Sequence, residues 1–124
     1  MTDYLAPANT LEVIRGASRT VYLLVEAPEG GALNLTGAFV YFTVKRRVED
    51  AYPLLQKTST LAEDIALVAP REGRVEIYLT PNDTKNMAPG VYVFDVWVVM
   101  ADGKRHPVVP QSTFEVHPSV TLLP

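Results

Sequence analysis

Two histidines, His106 and His117, are the side chains of this 124-residue sequence that most readily serve as a base or a metal ligand near neutral pH. His106 stands between Arg105 and Pro107 and His117 between Val116 and Pro118, both at ends of expected strands, without a clustered carboxylate to complete a ligand set. They read as solvated edge residues. Ser18, Ser59 and Ser112 fall in turns or edges and lack the glycines of a Gly-x-Ser-x-Gly elbow. Glu49/Asp50 and Glu63/Asp64 are sequence neighbours, which in a strand point to opposite faces and so cannot share one proton-transfer site. Asn82-Asp83 and Asp102-Gly103 lack the repeated oxygen ligands of a calcium loop. Asn34-Leu35-Thr36 fits the glycosylation pattern, but no secretory signal accompanies it. No catalytic, metal or cofactor site is expected, and the chain reads as a non-enzyme.

Charge and composition narrow the partners. The formal net charge is -3, from 11 basic and 14 acidic residues. The one tight basic group, Lys45-Arg46-Arg47, is followed at once by Glu49 and Asp50, a poor surface for nucleic acid. Without cysteine there is neither a disulfide framework nor a thiolate metal site, which suits folding in a reducing cytoplasm. No run approaches the roughly 20 apolar residues of a membrane span, and no targeting signal is recognisable.

The elements are strands. At 91–100, Tyr92, Phe94, Val96, Val98 and Met100 share one face, and this longest apolar run is the expected central strand. In 74–79, Val75, Ile77 and Leu79 alternate with Arg74, Glu76 and Tyr78. Between the two, Thr80-Pro81 begins a single helical turn and Pro89-Gly90 ends the connection. Further strands are expected at 10–15, with Ile14 marking a bulge, and at 19–27 and 38–46. In 38–46, Val40, Phe42 and Val44 face inward. Leu33 and Leu35 plug one end of the core. Pro53 restricts 54–58 to an edge strand, and 64–68 is a short strand before the turn at Pro70. Asp102-Gly103 signals a hairpin, and the last strand, broken by Pro107 and Pro110, resumes at 112–116 as an edge. Residues 1–9 and 118–124 are arms outside a single domain spanning 10–117.

This spacing of strands predicts an all-β fold, an immunoglobulin-like antiparallel β-sandwich with one short helical turn. Tyr92, after a short corner and two residues before the core position Phe94, matches the tyrosine corner of such sandwiches, and Phe42 suits the place of their buried tryptophan. The outward positions then stand out. With the 38–46 and 91–100 strands side by side, Phe39, Tyr41, Val93, Trp97 and Val99 form one apolar patch where solvent-facing residues would ordinarily be polar. Burial against a second protein subunit is one explanation; coverage by the 48–64 segment or the N-terminal arm is another. The arms carry Tyr4, Leu5, Leu122 and Leu123 with Asp3 as their one charge, and are expected to order on neighbouring subunits. A carbohydrate- or protein-binding module is the alternative, with Trp97, Tyr41 and Phe39 stacking on a ligand; such a site needs convergent amides and carboxylates, and only Asp95 is expected on that face.

A family resemblance rests on the order of several turns and core positions. These are Asn34-Leu35-Thr36-Gly37-Ala38, Gly73-Arg74-Val75, Leu79-Thr80, Pro89-Gly90-Val91-Tyr92, Asp102-Gly103-Lys104 and Phe114-Glu115-Val116. Over roughly residues 10–117 the chain resembles the immunoglobulin-like N-terminal domain of phage baseplate upper proteins and related small virion proteins. The resemblance implies a structural subunit of a phage particle, in baseplate, tail, neck or head, made in the bacterial host cytoplasm. It would be oligomeric in the assembly and contact copies of itself and other phage structural proteins, with no catalytic residues.

Overall fold

A computed structural model describes the backbone of residues 4–5 and the whole of residues 10–123. Nine strands run in chain order among the described residues: β1 (Tyr4–Leu5), β2 (Leu11–Ile14), β3 (Arg19–Leu24), β4 (Phe39–Lys45), β5 (Leu55–Thr58), β6 (Ile65–Ala69), β7 (Arg74–Leu79), β8 (Gly90–Val99) and β9 (Arg105–His117). A 3₁₀ turn at Pro70–Glu72 precedes β7, and a one-turn helix α1 (Pro81–Thr84) follows it. The strands form a four-stranded sheet in the order β1-β3-β7-β6 and a five-stranded sheet in the order β2-β9-β8-β4-β5. No helix among the described residues is long and apolar enough to cross a membrane.

Period-two alternation sets which side chains fill the space between the sheets. Val21, Leu23, Val75, Ile77 and Leu79 come from one sheet and Val40, Phe42, Val44, Phe94, Val96 and Val98 from the other, all buried. At the centre Phe42, Phe94 and Phe114 pack as a triangle, with ring centroids 5.6 Å apart for Phe42 and Phe94, 6.4 Å for Phe42 and Phe114, and 6.3 Å for Phe94 and Phe114. The tilted and edge-on ring pairs suit the aromatic quadrupole and fill the room between sheets that no disulfide spans. Leu35 is fully buried and Leu33 packs against the core, so the 33–37 loop closes one end as its apolar residues imply.

The connection into β8 is built by local chemistry. Pro81 occupies the first helical position, and the Asp83 carboxylate accepts the Thr80 backbone N–H at 2.7 Å. The buried Tyr92 hydroxyl donates to the Ala88 carbonyl, the bond that defines a tyrosine corner. The Arg46 guanidinium carbon lies 5.6 Å from the centroid of the same ring. Gly73 lies at φ 69, and a Cβ there would stand 2.4 Å from the Val25 carbonyl oxygen, so the turn into β7 admits only glycine without displacement.

Three expectations are corrected. The last strand is one continuous element in the interior of its sheet, between β2 and β8. Its prolines are accommodated because β2 pairs only with residues 114–117, which contain no proline, while irregular register against β8 absorbs the 107–111 stretch. Second, Tyr4 and Leu5 pair in parallel with Tyr22 and Leu23 of β3, so this part of the N-terminal arm extends a sheet. The other residues of 1–9, the side chains of Tyr4 and Leu5, and Pro124 lie outside the described parts. Third, Ile14 is regularly paired with His117 and forms no bulge.

Candidate interaction face and groove

The outer face of the five-stranded sheet follows from strand pairing. Strands β4 and β8 are antiparallel neighbours, with Phe39 opposite Val99, Tyr41 opposite Trp97, Thr43 opposite Asp95, and Lys45 opposite Val93. The five residues expected to form the outward patch therefore share one face. Phe39 is 45% exposed and Trp97 40% exposed, while Tyr41, Val93 and Val99 are half-buried by their neighbours. Val91 at 62% exposure extends the apolar set along β8. Of the expected tail contacts, Leu122 and Leu123 are 77% and 81% exposed.

The patch is not uniform. Asp95 interrupts it, and strand register places polar side chains beside it: Gln56 of β5 pairs with Thr43 of β4, which pairs with Asp95 of β8. Gln111, from the irregular stretch of β9, lines the same depression. A polar rung thus crosses four adjacent strands, with Tyr41 and Trp97 on one side of it and Val93, flanked by Lys45 and Thr113, on the other. The expectation that Asp95 would be the one amide or carboxylate side chain on this face is corrected: Gln56 and Gln111 join it, brought there by pairing between distant segments. Gln56 Nε2 donates to Thr43 Oγ1 at 3.3 Å, and Trp97 Nε1–H donates to Asp95 Oδ2 at 3.1 Å. The β4–β5 connection lines the depression through Val48 and Pro53, producing an open groove of about 550 Å³. That segment borders part of the face and leaves Phe39 and Trp97 exposed.

Two polar clusters lie elsewhere. Lys57, inward-facing on the edge strand β5, is buried and places its ammonium 2.8 Å from Asp83 and 3.6 Å from Asp64. This contact was missed from sequence, although a lysine sharing inward parity with Leu55 on an edge strand is a recognisable signal. At the other edge, parallel pairing of β2 with β9 sets Glu12 beside Glu115, and the His117 ring lies 3.2 Å from Glu12. Ligating atoms of these three side chains lie within 4.8 Å of one another. The reading of His117 as lacking a carboxylate neighbour is therefore corrected. Glu12 comes to it from the far end of the chain. Glu12 and His117 are exposed, Glu115 is half-buried, and the ring is engaged with Glu12.

Two facing sheets, a tyrosine corner before β8 and a large side chain at the core position two residues later make the chain an immunoglobulin-like β-sandwich module. No protein-family model matches the chain, and no curated protein matches it. Among solved structures, murine CRIg is similar at 14% identity over 89% of this chain and 92% of that chain, with a TM-score of 0.40.

Proposed function

We propose that this module is a non-enzymatic structural subunit that binds other protein subunits through the outer face of its five-stranded sheet. The observation carrying the reading is the adjacent placement of exposed Phe39 and Trp97, with Tyr41 and Val99 between them, on strands whose opposite faces already fill the core. Aromatic side chains of this kind bring large contact area at small entropic expense, which makes them frequent interface anchors. Exposed Leu122 and Leu123 add a second apolar contact region at the C-terminal end. The non-enzymatic part of the reading is supported by the positions of Ser59 and Ser112, two of the three candidate nucleophiles; the third, Ser18, lines a depression with Glu12 and His117 but makes no side-chain hydrogen bond to either among the described residues. Ser59 Oγ accepts the Val40 N–H and Ser112 Oγ donates to the Pro110 carbonyl, and neither bond joins a histidine.

The sequence resemblance to the immunoglobulin-like domain of phage baseplate upper proteins supplies the setting: a small component of a phage particle, contacting copies of itself and other virion proteins. A photo-crosslinking residue at position 39, introduced in cells producing the particle, should capture a virion protein or a second copy. A Phe39→Asp variant that still enters particles at the normal level would overturn the reading.

A further inference from the structure

We propose that the groove beside Trp97 is a binding site for a neutral saccharide, distinct in its polar residues from the protein-contact patch around Phe39. Three properties of the groove select this ligand chemistry. The first is an aromatic plate whose position is held. Trp97 is partly exposed, and its indole N–H is engaged by Asp95, so the ring is oriented before any ligand arrives. The C–H face of a pyranose ring is apolar and stacks on such a plate.

The second property is a mixture of donors and acceptors with capacity to spare. Asp95 uses one carboxylate oxygen on Trp97, Gln56 gives one N–H to Thr43, and Gln111 makes no side-chain hydrogen bond among the described residues. Carboxylate and amide oxygens together with amide N–H groups match hydroxyls, each of which both donates and accepts. A wholly apolar ligand would leave these groups desolvated and unpaired. A phosphate would meet Asp95 against Lys45 as the single cation lining the groove.

The third property is shape. The groove is about 550 Å³, within the roughly 300–1,000 Å³ typical of small-molecule sites. It lies on the face of paired strands, where the backbone groups of β4 and β8 are already committed to each other and cannot add a peptide strand. Short oligosaccharides are recognised through side chains alone, as this surface requires.

Trp97 is the one tryptophan in the chain, so its fluorescence reports directly on the groove. The experiment titrates the full chain with cellotriose, maltotriose, mannotriose and tri-N-acetylchitotriose, followed by emission and by calorimetry, with inorganic phosphate as the charged control. At least one trisaccharide should give a saturable emission change and matching heat. Asp95→Asn and Gln111→Ala should each weaken it about tenfold, consistent with loss of a hydrogen bond to a charged or desolvated group, and Trp97→Ala should abolish the heat. Val68→Ser, at an exposed position of β6 on the other sheet, should leave binding unchanged. Thermal melts show whether each variant is folded, and Trp97→Phe, which retains an aromatic plate, should preserve part of the heat. No response to any of the four sugars, binding that survives Trp97→Ala, or a response to phosphate alone would overturn the proposal. Saccharide binding with normal particle entry of Phe39→Asp would separate this site from a failed protein-contact reading.

Discussion

The Lys57 ammonium lies 2.8 Å from the Asp83 carboxylate, joining the edge of the five-stranded sheet to the helix that links the two sheets. Lys57 has 7% of its side chain exposed and Asp83 14%. Asp64, just before β6, is the second carboxylate at 3.6 Å, so one cation connects three segments distant in sequence. Asp83 also caps the Thr80 backbone N–H, which gives it two partners to lose.

Asp83→Ala should therefore destabilise the domain by about 2–4 kcal/mol, combining a lost cap with a buried cation left to Asp64 alone. Lys57→Met should be milder than Lys57→Ala, because the methionine chain retains the packing of the lysine stem. Urea unfolding of the three variants checks both statements; equal stability of Asp83→Ala and the parent would show the pair to be energetically idle.

Tyr92→Phe should cost about 1 kcal/mol, since it removes the hydroxyl's bond to the Ala88 carbonyl without changing ring packing. Phe94→Ala, which empties one corner of the aromatic triangle, should cost about 3–5 kcal/mol. Thermal melts should rank the two in that order.

Gly73→Ala should be destabilising by more than about 2 kcal/mol, because the left-handed backbone disfavours a side chain and the added carbon would meet backbone at Val25. Gly103, also at positive φ but with open space around a Cβ, should tolerate alanine better. Chemical denaturation of the two variants side by side separates steric overlap from backbone preference.

The hydroxyl of Tyr78 donates to Glu76 at 2.9 Å. That bond, then burial, then the negative charges of Glu76 and Tyr22 raise its pKa above the ordinary value of 10.0. Because the folded value exceeds the unfolded one, the associated stability is fully present below the unfolded pKa and is lost as pH rises through the folded pKa. Tyrosinate absorbance should show Tyr78 ionising later than in Glu76→Gln, and a coincident titration in the two proteins would contradict this.

Local periodicity by itself determined much of the fold. Alternation in 38–46 and 91–100 assigned Val40, Phe42, Val44 and Phe94 to the core and Phe39, Tyr41 and Trp97 to the outside. One face of each strand is buried, so a register error would turn the core-facing Val40, Phe42, Val44 and Phe94 outward. Thr80-Pro81 and the spacing of Tyr92 from Phe94 were legible for a similar reason: a cap and a tyrosine corner are made within a few residues.

What only the tertiary structure decided was which distant segments lie next to one another. Parallel pairing of β2 with β9 carries the last strand into the sheet interior and brings Glu12 to His117, a neighbour that no local pattern specifies. Cross-strand register likewise assembled Gln56, Thr43 and Asp95 into one rung, and the irregular stretch of β9 set Gln111 beside them. Periodicity within a strand fixes the face on which a side chain emerges. Its neighbour on that face is set by loop lengths, bulges and the closing of the two sheets over their shared core, and these act between residues far apart in the chain.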